Sequence, residues 1–341
     1  MYTRPLRRSK SILAEGYNVL LLYRGFAAVV IIVLVTGGCL GVAGTDDRLG
    51  RENGYWYNES VSVDRSDGLN ETELDAVVSR SMARVEKIRG LEFEQRVPVR
   101  VVSREEFASN QTGGETSPQV RLRENTRWEA MFMINESTNA IETQQSNTAA
   151  SVGGYYSPSR EEIVIVSENT SSPKMDEITL AQELFHALQD RKFDLLNRSW
   201  YPGRTEEAHN AADGVIEGDG NYVDYRYQQR CEAEWDCLTP RGDGGGGGGG
   251  DIHLGLYQVR YQPYSDGVAF VRERYRAGGW AAVNEVYENP PASTEQTIHP
   301  ERYPDDRPAN VSLEDRSDDR WRVLELDHVV NYAEFGEAGL F

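Results

Sequence analysis

Lysine is almost absent from this chain of 341 residues. Four of its 36 basic side chains are lysines (Lys10, Lys87, Lys174 and Lys192) and the other 32 are arginines, against 55 acidic side chains. A formal net charge of −19 leaves no basic face to release counterions from phosphates, which excludes a nucleic-acid binder of the ordinary electrostatic kind. Many carboxylates with few lysines predict a halophilic protein, because multimolar salt shrinks the Debye length to about 3 Å and screens the self-repulsion. Internal repeats are lacking as well. The glycine run Gly244 to Gly250 has no P-loop Lys-Ser/Thr after it and reads as a flexible insertion over 242–250.

The N-terminus is where positive charge gathers. Arg4, Arg7, Arg8, Lys10 and Arg24 precede an uncharged stretch from Gly25 to Thr45, the pattern of an export signal whose cationic end stays inside. The stretch runs into Val35-Thr36-Gly37-Gly38-Cys39, a lipobox-like sequence, so residues 1–38 read as a signal peptide and Cys39 as a lipidation site. An uncleaved membrane anchor of about 20 residues is the alternative. Either places the remainder on the outer face of the membrane, at the cell surface. Cleavage before Cys39 would remove those five cations and Glu15, taking the net charge from −19 to −23.

Of three cysteines, Cys231 and Cys237 are then the pair left over, and an oxidising compartment predicts a disulfide between them. Seven glycosylation sequons, at Asn58, Asn70, Asn110, Asn135, Asn169, Asn197 and Asn310, fit the same compartment.

Residues 39–66 read as a polar tether and 67–341 as one α+β domain. Within it, apolar spacing predicts a helix over 71–88, a strand over 97–102, and a hairpin from Tyr155-Tyr156 through a turn to Ile163–Val166. Residues 109–118 and 135–151, rich in Asn, Ser, Thr and Gln, read as loops. A helix is expected after Ser172 as N-cap with Pro173 first. Another follows from Glu206 to about Arg230, despite Gly214, Gly218 and Gly220, which are tolerable where a second backbone packs closely. Shorter helices are expected over 268–275 and 280–287.

The most informative stretch is Gln182-Glu183-Leu184-Phe185-His186. On a helix, positions 182 and 186 share one face, the geometry by which H-E-x-x-H places two imidazoles on zinc and a Glu beside its water. Here Gln182 stands where the first His would be. Glu183 occupies the general-base position and His186 the second ligand position. Glu217, on the helix after it, is a candidate third ligand, with Asp213 one turn before it as a supporting carboxylate.

At these residues the chain resembles the gluzincin metallopeptidases, and more closely a family of haloarchaeal surface proteins with a gluzincin-like core. The matching stretches are 67–93, GGYYSPSREEIVIVS at 153–167, LAQELFHALQD at 180–190, GVIEGDG at 214–220, 264–303, and FGEAGLF at the end. The resemblance implies a zincin core with a small mixed sheet and an active-site helix followed by further helices. It also implies zinc ligand roles for His186 and Glu217, the base role for Glu183, and an oxyanion role for His299 or a tyrosine, with His299 as a replacement ligand the alternative. The final motif continues in the family, so the resemblance implies a C-terminus cut short.

Gln182 departs from that pattern. A neutral amide oxygen is a poorer zinc donor than imidazole, so zinc would be held weakly or not at all. Three readings follow: a degenerate metallopeptidase-like surface lipoprotein, a pseudoenzyme that binds peptide or protein partners with little or no hydrolysis; an active extracellular zinc metallopeptidase; or a structural envelope glycoprotein. For the first, the strand Glu162 to Ser167 is the expected edge for peptide pairing.

Overall fold

The computed structural model describes residues 49–64, 66–112, 116–196, 205–238, 252–323 and 333–340. The signal, Cys39, Asn197, the glycine run and Phe341 lie outside the described residues. The class is α+β, as expected. Among the described residues no helix is long and apolar enough to cross a membrane.

The first element corrects the tether. Strands β1 (Arg51–Glu52) and β2 (Tyr55–Trp56) form a small hairpin docked on helix α1 (Glu71–Arg89). Gly50 donates its amide to the buried Glu86 at 2.8 Å, and Arg84 donates to the Tyr57 carbonyl at 2.8 Å. The polar composition hid the aromatic and glycine residues that make this turn. Gly54, at φ 92°, takes a left-handed conformation that side chains rarely adopt.

Helix α1 begins in a reciprocal cap between Asn70 and Glu73 and ends at Gly90, which sits at φ 72°. Besides Val77, Val78, Met82, Val85 and Ile88 it buries three arginines, Arg80, Arg84 and Arg89. Buried guanidinium groups require carboxylate partners, and these come from the two site helices described below.

Three strands form the main sheet in the order β3 (Val99–Val102), β5 (Glu162–Val166), β4 (Gly154–Ser157). β3 runs parallel to β5, pairing Val101 with Ile165, and β4 is antiparallel, pairing Tyr156 with Ile163. The strand expected to be an edge for peptide is therefore the central strand, with both sides already hydrogen-bonded. The outer strand on the site's side is β4.

Between β3 and β4 the chain is helical: α2 (Arg104–Thr112), α3 (Pro118–Ala130) and α4 (Ala140–Ser151). The last replaces an expected loop. Asn139 caps it, Ala140 packs with Trp128, Leu256 and Val259, and Thr143 and Thr148 return their hydroxyls to carbonyls one turn back at 2.8 and 3.0 Å. Side chains bonded to their own backbone leave no apolar stripe to read.

Helix α5 (Glu177–Phe193) starts four residues later than expected, capped by Asp176 rather than Ser172. Pro173 instead accepts the Leu69 amide at 3.0 Å, and Ser172 bonds the Asp67 carbonyl, pinning this segment to the entry of α1. Helix α6 (Glu206–Ala233) matches its expectation, and Cys231 and Cys237 are disulfide-bonded at its end. α7 (Leu254–Glu288) absorbs both shorter helices and begins well before them, with a non-helical break at Gly278 and Gly279. α8 (Thr294–Ile298) follows. The sequon residues Asn58, Asn70, Asn110, Asn135, Asn169 and Asn310 are all exposed.

Candidate functional site

Every residue of α5 from Leu180 to Gln189 is buried. A helix enclosed on all sides must satisfy its polar side chains from within the protein, so Gln182, Glu183, His186 and Gln189 are held in the interior. α1 and the sheet cover its apolar faces, and α6 lies across the polar one.

Glycines set how closely the helices approach. A Cβ on Gly220 of α6 would stand 2.9 Å from His186 Cε1 and 3.6 Å from Gln182 Cγ, so the imidazole lies directly on the α6 backbone. A Cβ on Gly218 would fall 2.4 Å from the Gly267 backbone, and one on Gly267 would fall 2.2 Å from the Gly214 carbonyl. α6 and α7 therefore cross backbone to backbone, which gives the glycines of α6 the packing reason their helix propensity demanded.

Two of the expected ligands converge. His186 Nε2 and Glu217 Oε2 stand 3.5 Å apart, 1% and 3% exposed, and neither atom has a hydrogen-bond partner. Donors about 2.0–2.1 Å from a tetrahedral zinc are roughly 3.3 Å from one another, so the pair fits a metal by atom type and by spacing. Gln182 is beside His186 against Gly220. Among the described residues no group of three or more His, Cys, Asp or Glu side chains is arranged to hold a metal ion.

Glu183 has a definite partner: its Oε2 accepts the backbone amide of Tyr156 on β4 at 2.9 Å. That amide points away from β5, so the carboxylate caps the outer edge of the sheet. Tyr156 in turn donates its hydroxyl to Asp190 at 2.9 Å.

Negative charge is crowded here. Burial opposes protonation of His186, but the Glu217 and Glu183 carboxylates overcome it and raise the imidazole to about 9. Burial, with Glu217 and Glu206 adding to it, pushes Asp213 up to about 8, so in the metal-free chain its neutral form is favoured at pH 7. Asp224, on the same helix, is raised well above its ordinary value by burial and then by Glu183, and its Oδ1 is buried without a hydrogen-bond partner.

His299 is not brought to this cluster. It is partly exposed, and its ring bonds Glu337 at 2.8 Å and approaches Glu301 at 3.8 Å. The tyrosine that does arrive is Tyr264 of α7, hydrogen-bonded to Glu217 and raised well above its usual value by burial and by that carboxylate. It is the last of three stacked rings, Tyr257, Tyr261 and Tyr264, with centroids 5.6 and 6.0 Å apart. The i, i+4, i+7 tyrosine spacing is visible in the sequence, but it is also the spacing of an ordinary packing stripe.

No family model matches the chain, and no curated protein or solved structure matches it either.

Proposed function

We propose that the chain is a halophilic surface lipoprotein, anchored through Cys39, whose core is a degenerate gluzincin-like domain that binds peptide or protein with little or no hydrolysis. His186 and Glu217 are its metal donors, with the Gln182 amide as a weak third, so zinc is held loosely. Bound zinc there would act as a Lewis acid and acidify a coordinated water.

One observation carries the pseudoenzyme reading. The carboxylate in the base position, Glu183, is bonded to the Tyr156 amide, so it serves the edge of the sheet instead of standing ready to take a proton from water. Gln182 weakens the same chemistry from the metal side. An active metallopeptidase is the second reading, favoured by Tyr264, whose hydroxyl is at Glu217 where a polarising donor would be useful.

The test is zinc titration and peptide hydrolysis in multimolar salt for the wild type, Gln182→His and Glu183→Gln. The expected result is weak zinc binding without turnover in the wild type and much tighter zinc in Gln182→His. Stoichiometric zinc in the wild type, with hydrolysis abolished by Glu183→Gln, would establish the active enzyme instead.

A further inference from the structure

Gln189 follows His186 by one helical turn and is fully buried. Its Oε1 lies 2.9 Å from His186 Nδ1, and its Nε2 lies 3.0 Å from the carbonyl of Ile216, the residue before Glu217. A carbonyl can only accept, so the amide nitrogen must face Ile216, and the amide oxygen is left to face the imidazole.

A second constraint gives the same orientation. Arg89 pairs with Asp219 at 3.0 Å, and Tyr287 donates its one hydroxyl proton to Asp219 Oδ2 at 2.9 Å. With that proton committed, the Tyr287 oxygen can only accept from Gln189 Nε2, which bonds it. Arg89, Asp219 and Gln189 are at most 1% exposed, and Tyr287 is buried with them, so no water competes for these bonds.

We propose that Gln189 is the positioning residue of this site: its amide, oriented by Ile216 and Tyr287, keeps the proton of the neutral His186 ring on Nδ1 and turns the Nε2 lone pair toward Glu217. The bond to Ile216 also ties the turn of α6 that carries Glu217 to the turn of α5 that carries His186. One side chain thereby sets the direction of one donor and the placement of the other. The geometry of this relay stands on its own, whereas its consequence for metal rests on the reading proposed above.

The test is nitrogen-15 NMR of the imidazole in the zinc-free chain, followed toward alkaline pH until the ring is neutral, together with zinc affinity by calorimetry. The wild type is expected to keep a proton on Nδ1. Gln189→Met, similar in size but without the amide, should lose that preference and bind zinc about 10- to 100-fold more weakly. Far-ultraviolet circular dichroism and the melting temperature of Gln189→Met, compared with the wild type, check that the variant is folded. A neutral wild-type ring protonated on Nε2 overturns the proposal, as does a folded Gln189→Met with unchanged tautomer and zinc affinity. A proton held on Nδ1 in a wild type that takes up no zinc defeats the metal reading alone and leaves the role of Gln189 intact.

Discussion

Helix α5 carries two buried charge clusters about two turns apart, and they are built on opposite rules. At its N-terminal end Glu177, wholly buried, accepts from Arg80 at 2.9 Å, Arg84 at 2.6 Å, the Tyr227 hydroxyl at 2.7 Å and the Leu238 amide at 2.7 Å. One carboxylate there has two guanidinium partners. Further along, Glu183, Glu217 and Asp224 crowd His186, with Asp213 beside Glu217, and both aspartates are raised while His186 Nε2 and Glu217 Oε2 face each other at 3.5 Å. The first cluster locks α1, α5 and the end of α6 together. The second holds an excess of negative charge that a bound cation would relieve.

The largest effect is expected at Glu177. Glu177→Ala leaves Arg80 and Arg84 buried without a carboxylate and should cost about 3–5 kcal/mol in denaturant unfolding. A loss below about 1 kcal/mol would mean that the first cluster does not hold the helices.

A smaller effect is expected at the helix crossing that assembles the second cluster. Gly218→Ala places a Cβ 2.4 Å from the Gly267 backbone, so α7 must retreat, at about 1–3 kcal/mol. Tyr264 moves with it, and the environment of its phenol, read by ultraviolet difference spectroscopy, should change.

The smallest effect is expected from Glu217→Gln. Unlike Glu177→Ala, it removes one of several neighbouring carboxylates rather than the one partner of two buried arginines, so the loss at pH 7 should be smaller than for Glu177→Ala. Its signature is in the pH dependence. The protonated His186 stabilises the metal-free fold fully below its ordinary value of 6.5, and this is lost as pH rises through about 9. Asp213, ordinarily at 3.8 and raised to about 8, likewise loses stability as pH climbs through that raised value. Wild-type melting temperature should therefore fall from pH 7 to pH 9, and Glu217→Gln should flatten the fall, since Glu217 raises both groups. An equally steep fall in the variant would place the alkaline instability elsewhere.

Periodicity was enough to read α1, α6 and the hairpin, because each pairs a clear apolar spacing with cap or turn residues. It was not enough for α4, whose threonines and Asn139 bond their own backbone, nor for the hairpin at 51–56, whose order comes from docking on α1. At the site, Glu183 and His186 were readable from their spacing on one helix. For His299 the sequence shows nothing about which surface the ring turns to, and the structure places it against Glu337. Gln189 and Tyr264 are not legible in the sequence, since a glutamine on a buried helix and a tyrosine at packing intervals become informative only once their partners are known.

By itself the sequence determined the net charge, the cysteine pair and the shared face of Gln182 and His186, because these depend on composition and on the pitch of a single helix. Only the tertiary structure decided that Glu217 faces His186, that Glu183 is bonded to the sheet, and that Gln189 orients the imidazole. Those relations depend on how closely separate helices approach. Gly214, Gly218, Gly220 and Gly267 set that distance, by omitting the side chains that would have held the backbones apart.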